Sequence, residues 1–146
     1  MKKILLFSDH REIFKTTSKI TKGKYKLRWC TYDWLNYDKH FNPDVIIMYF
    51  NKKMVEKGTF EFIIRVKGML GNTIPILALI ENGTKQDIFS ALKAGVYDYL
   101  ENVEDLQEYQ KKIRRDIIVG MVFEKIWFSK RAVMINEFIA TFLVLK

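Results

Sequence analysis

The hydrophobic positions of this chain fall in short, dense runs. Ile4-Leu5-Leu6-Phe7, Val45-Ile46-Ile47-Met48-Tyr49-Phe50 and Ile76-Leu77-Ala78-Leu79-Ile80 are unbroken apolar stretches of strand length. Runs without alternation read as strands buried on both faces, as in a parallel sheet. Tyr25, Leu27 and Trp29 alternate instead with Lys24, Lys26 and Arg28. That is the period of a half-exposed edge strand, and its lysines discourage edge-to-edge aggregation. Val96-Tyr97-Asp98-Tyr99-Leu100 reads as a short fifth strand.

Helical spacing fills the gaps between these runs. Ile13, Phe14, Thr17 and Ile20 mark a helix over residues 10–21, with Gly23 as its C-terminal signal. Asp33 to His40 is polar and aromatic and predicts one or two helical turns. Val55, Phe62, Ile63, Val66 and Leu70 predict a helix over 55–69, closed by Gly71-Asn72. Asn82-Gly83 is a turn signal, and Thr84 with Asp87 resembles a capping box with Asp in place of Glu. The helix it opens ends at Gly95. A long helix follows from Glu104, with Leu106, Tyr109, Ile113 and Ile117 as its stripe.

Strands alternating with helices predict an α/β domain: a parallel sheet, right-handed crossovers and helices on both faces. Ligands of such sheets sit beyond the carboxyl ends of the strands. The positions there are Ser8, Asp9, Tyr49, Phe50, Ile80, Glu81, Glu101 and Asn102.

Composition narrows the class. The 146 residues suit one domain, and 49% hydrophobic with 29% charged residues exclude a wholly disordered chain. Cys30 is the single cysteine, which excludes an internal disulfide and a cysteine-based metal cluster. No apolar run approaches the roughly 18 residues of a membrane span. The apolar run after Met1-Lys2-Lys3 is too short for a signal peptide, so the expected location is cytoplasmic. Motifs for nucleotide binding and for a serine nucleophile are absent. His10 and His40 lack metal-ligand company, Asp9 reads as a cap of the first helix, and Cys30 reads as a packing residue.

The net charge of +8 is concentrated at one end: residues 1–30 carry nine Lys and Arg against two acids. Arg11, Lys15, Lys19 and Lys22 recur along one stripe of the first helix.

Two further stretches carry a resemblance. One is the Pro75-led strand followed by Ala91-Leu92-Lys93-Ala94-Gly95-Val96-Tyr97-Asp98-Tyr99-Leu100. The other is Pro43-Asp44-Val45-Ile46-Ile47-Met48. Over about residues 1–118 the chain resembles a response-regulator receiver domain, of flavodoxin-like fold, from two-component phosphorelay signalling. The resemblance implies a five-stranded parallel sheet in the order 2-1-3-4-5. It also implies a site with two acids for a divalent cation, an Asp nucleophile, a Ser or Thr, and a Lys. In this sequence those places fall on Ser8, Asp9, Tyr49, Ile80 and Asn102. Only Asp9 keeps the required chemistry, so neither a metal nor aspartyl phosphorylation is expected. Tyr99 falls at the family's switch aromatic. Placing the first and fifth helices side by side, as in receivers, would bring Lys111, Lys112, Arg114 and Arg115 beside the basic stripe. Such a face could bind phosphates without reading bases.

Residues 119–146 form an apolar extension beyond the receiver-like domain of residues 1–118. Phe123, Trp127, Phe128, Phe138 and Phe142 are its aromatic anchors, and Ser129 marks an expected break between two helices. So much apolar surface needs a cover: its own domain, a second subunit, or a partner or membrane surface, with self-association favoured. The sequence therefore reads as a degenerate receiver, without cofactor or catalytic activity. It is expected to act through a protein partner and as a homodimer through this extension. Nucleic-acid association through the basic face is the alternative.

Overall fold

The computed structural model describes residues 1–34, 37–57 and 60–144, apart from the side chains of 132 and 142–144. Five parallel strands carry the architecture: β1 (Lys3–Phe7), β2 (Lys26–Cys30), β3 (Val45–Phe50), β4 (Ile76–Ile80) and β5 (Asp98–Leu100). Their order is β2-β1-β3-β4-β5, as the resemblance implies. The helices are α1 (Arg11–Thr21), α2 (Lys52–Glu56), α3 (Glu61–Leu70), α4 (Lys85–Ala94) and α5 (Leu106–Val144).

The three apolar runs become the central strands because only full burial satisfies them. Every residue of β3 and β4 is buried. Side chains alternate between two cores, as the strand period requires. Leu5, Phe7, Ile46, Met48, Phe50, Ile76, Ala78 and Ile80 pack with Ile63 and Val66 of α3 and Ala91 of α4. Ile4, Leu6, Val45, Ile47, Leu77 and Leu79 pack with Ile13 and Ile20 of α1 and with Tyr109, Ile113 and Ile117 of α5. Across this second core the hydroxyls of Thr17 and Tyr109 meet at 2.7 Å. The β2 edge alternates exposed lysine and arginine with half-buried Leu27 and Trp29, as expected.

Four local expectations change. Residues 55–69 do not form one helix: α2 and α3 are separate, and the Asn51 side chain caps α2 by accepting from the Met54 N–H at 2.9 Å. The described part of residues 33–40 is turn rather than helix; Leu35 and Asn36 lie outside the described residues. The fifth strand is only Asp98–Leu100, although the Tyr97 N–H already donates to the Ile76 carbonyl at 2.9 Å.

The fourth change concerns the extension. Ser129 interrupts nothing, and α5 runs 39 residues without a break. Lys130 and Arg131 are good helix formers, and no Pro or Gly stands near them, so polarity alone does not stop the helix. The assumed boundary at 118/119 therefore falls inside one helix.

The α5 helix leaves the domain at Gly120. A Cβ there would lie 2.9 Å from Pro75 Cδ and 3.2 Å from the Asp44 carbonyl oxygen, so glycine permits the close passage over the amino ends of β3 and β4. From Met121 to Thr141 every described residue is exposed. That segment reaches about 30 Å beyond the sheet, at about 1.5 Å per residue.

Replacing Gly120 by Val is expected to lower the thermal midpoint, at a cost of about 1–3 kcal/mol from overpacking. Gly68→Ala, where α3 leaves open space around the new methyl, is expected to gain about 1 kcal/mol. Thermal unfolding of the two variants checks the contrast, and equal effects would refute the packing account.

Candidate functional site

The carboxyl ends of the strands gather most of the residues singled out by sequence. Ser8 is buried at the end of β1, where its hydroxyl donates to the His10 carbonyl and accepts from the His10 N–H, each at 3.0 Å. Asp9 does not cap α1. Its carboxylate accepts from the Tyr32 N–H at 2.9 Å, and α1 has no side-chain cap. The reason is topological: parallel β1 and β2 end side by side, so an acid just after β1 lies within reach of the chain leaving β2.

Tyr49 ends in the interior. Its hydroxyl donates to Glu81 Oε2 at 2.9 Å, and the His10 ring stands edge-on to its ring at 5.5 Å. Burial, with the Glu81 carboxylate alongside, pushes the Tyr49 phenol up to about 12. A phenol held protonated is no nucleophile near neutral pH. The Tyr49 carbonyl accepts from the Tyr32 hydroxyl at 2.8 Å. His10 Nε2 and Asn51 Nδ2 meet at 2.9 Å. Ile80 is wholly buried, and Gly83 folds over it so closely that a Cβ there would strike its methyl. Asn102 turns back to accept from the Glu104 N–H at 3.0 Å, which shapes the turn before α5. The expected capping box is present: the Thr84 N–H donates to Asp87 at 2.8 Å, and the Asp87 N–H donates to Thr84 at 3.1 Å.

Above these residues lies an open cleft of about 520 Å³, lined by Glu81, Asn82, Gly83, Glu101, Asn102 and Glu104. Its lining holds three carboxylates and no cation. A phosphoryl group would meet repulsion from that lining. Among the described residues, no group of three or more His, Cys, Asp or Glu side chains is placed to hold a metal ion. His40 is exposed, and its backbone N–H bonds the Asp38 carboxylate. Cys30 is buried, and burial with Asp33 and Asp9 nearby raises its thiol to about 11.

The basic face assembles only in part. The helices α1 and α5 are neighbours, and Lys24 and Arg114 line one small groove between them. Lys112 and Arg115 turn the other way, onto Asp98 of β5, at 3.1 and 2.6 Å. Lys112 also donates to the Tyr99 carbonyl at 2.6 Å and stands over the Tyr99 ring at 5.1 Å. Tyr99 itself is half-buried, packed beside the first core. Lys15 pairs with Glu12 at 3.6 Å, a contact worth little at an exposed site. Arg11, Lys19, Lys22 and Lys111 remain exposed.

The aromatic anchors of the extension are exposed: Phe123, Trp127, Phe128 and Phe138 rise from 38% to 73% along the helix. Phe123 stands edge-on to Tyr97 of the domain at 5.7 Å. The side chain of Phe142 lies outside the described residues. No described helix is long and apolar enough to cross a membrane. Sequence reasoning missed three contributors, Tyr32, Asn51 and Asp116. Tyr32 bonds across elements and leaves no local signal, whereas Asn51, besides meeting His10, is a local N-cap of α2. Asp116 is visible as an acid beside Ile113 and Ile117 in the buried stripe of α5.

No family model matches this sequence, and no curated protein matches it either. Solved structures do. A response regulator from Thermotoga maritima is 14% identical with a TM-score of 0.64, covering 80% of this chain and 98% of its own. A putative response regulator from Chloroflexus aurantiacus is 21% identical with a TM-score of 0.66, over 80% and 98%. NtrX from Brucella abortus is 16% identical with a TM-score of 0.71; the match covers 86% of this chain and 29% of that one. At such identities the likeness speaks for architecture, and the chain is built on the response-regulator receiver fold.

Proposed function

We propose that this chain is a signalling module that works through protein contacts without being phosphorylated, and that it self-associates through the projecting part of α5. In this reading it is a degenerate receiver and not a catalyst. The observation that carries the reading is the projecting helix. Ile126, Trp127, Phe128, Val133, Met134, Ile135, Phe138 and Ile139 are all about half exposed or more. Covering one such side chain is worth about 1.5–3 kcal/mol when complete, so cover of several by a second copy is of the same order as the cost of association, about 4–15 kcal/mol. Phe128, Ile135 and Ile139 fall on one strip of the helix, at i, i+7 and i+11, which suits pairing with another helix.

The strand-end site supports the other half of the reading. Tyr49, Ile80 and Asn102 stand where the resemblance places the nucleophile, the hydroxyl and the lysine, and each is committed to a local contact or to the core. The nucleic-acid alternative has less support, because Lys112 and Arg115 are engaged by Asp98.

Light scattering at tens of micromolar is expected to give the full chain a mass that is a multiple of 17.4 kDa. Phe128→Glu combined with Ile135→Glu is expected to give the single-chain mass with unchanged circular dichroism from the domain. A single-chain mass for the unaltered protein would refute self-association.

Treatment with acetyl phosphate and Mg²⁺ is expected to leave the intact mass unchanged. Tyr49→Asp alone is expected to do the same, since Ile80, Asn102 and the acidic cleft remain. Addition of one phosphoryl group to either protein would overturn this reading of the site.

A further inference from the structure

Two carboxyl groups meet where α5 is about to leave the domain. Asp116 is completely buried, and neither of its oxygens has a hydrogen-bond donor. Asp98 is held by Arg115 at 2.6 Å, by Lys112 at 3.1 Å and by the Tyr99 N–H at 2.9 Å. The charged groups facing Asp116 are Asp98 from β5 and Arg115 and Lys112 from its own helix; Tyr97 stands near Arg115. The strand β4, which α5 crosses, is apolar throughout. Asp44, whose carbonyl abuts Gly120, directs its carboxylate to the Lys3 N–H at 2.8 Å and to Lys2.

A buried carboxylate without donors is strongly disfavoured, whereas a neutral carboxylic acid in the same place can donate to the Asp98 carboxylate. We propose that Asp116 and Asp98 share one proton, and that this proton is a latch that keeps the root of α5 seated on β5.

When the proton leaves for water, two negative charges must share Lys112 and Arg115 in the same enclosure. The Asp116 charge has no donor of its own in the core, so the burial that suits the neutral acid is opposed and the helix around 112–120 loosens. Burial comes first and the Asp98 charge second in pushing Asp116 up to about 7. Asp98 moves oppositely: burial would raise it, but the bonds from Arg115, Lys112 and Tyr99 outweigh burial and hold it low. The sign follows by linkage. Asp116 takes up a proton in the folded state that it lacks when unfolded, so its contribution is present in acid and lost as pH rises through neutrality. The opposite loss, from Asp98, comes only in stronger acid.

The latch concerns the seating of α5, not the pairing of its far end, so it stands or falls apart from self-association. The test uses the full chain with carbon-13 in the aspartate carboxyls, followed by NMR from about pH 5 to about pH 8. One carboxyl, absent from Asp116→Asn, is expected to titrate near neutral pH. The amides of 112–120 are expected to shift with the same midpoint and to stay still in Asp116→Asn. The thermal midpoint is expected to fall over this range in the unaltered chain and to stay flatter in that variant. Asp98→Asn is expected to lower the Asp116 midpoint. An Asp116 carboxyl already ionised at the acid end, or a neutral titration that leaves the 112–120 amides unmoved, would overturn the proposal.

Discussion

The hydroxyls of Thr17 and Tyr109, 2.7 Å apart in a wholly buried setting, fix the first helix to the last. The Tyr109 hydroxyl needs this partner, because an unsatisfied hydroxyl in that core costs about 1–3 kcal/mol, while Thr17 also donates to the Ile13 carbonyl at 2.8 Å. Burial pushes the Tyr109 phenol far up, so it stays a neutral donor or acceptor. The contact sets the rotation of α5 about its axis. Ile113 and Ile117 then face the sheet, Lys112 and Arg115 face β5, and Gly120 meets Pro75. The direction in which the apolar helix leaves the domain follows from that one seating.

Much of the fold was legible because burial on both faces leaves a plain trace: unbroken apolar runs of strand length in β1, β3 and β4. The Thr84–Asp87 cap was legible because its two bonds are local. What escaped was settled by contacts distant in sequence. Asp9 serves Tyr32 because two parallel strands end together. Lys112 and Arg115 leave the basic face because β5 brings Asp98 to them. The continuity of α5 through Ser129 has another cause: polar residues interrupt the apolar pattern there, but backbone propensity still favours helix.

The carboxyl ends of the strands are tied together by side-chain contacts. Glu81 is no free acid, since it receives the Tyr49 hydroxyl. Asn51 meets His10 and caps α2. Asn102 closes a turn. These polar groups have found partners inside the protein, and their contacts stabilise the carboxyl end of the sheet. The cleft above it is acidic at Glu81, Glu101 and Glu104, which favours cationic over anionic visitors.

Cys30 has a consequence of a practical kind. It is the single thiol of the chain, it is 1% exposed, and burial raises it to about 11. Thiolate is the reactive form, so the unaltered protein is nearly silent toward maleimides and disulfide exchange. A cysteine placed on the projecting helix would be the only responsive one. Spin labels or fluorophores could therefore be set along α5 one position at a time, without first engineering the native residue away.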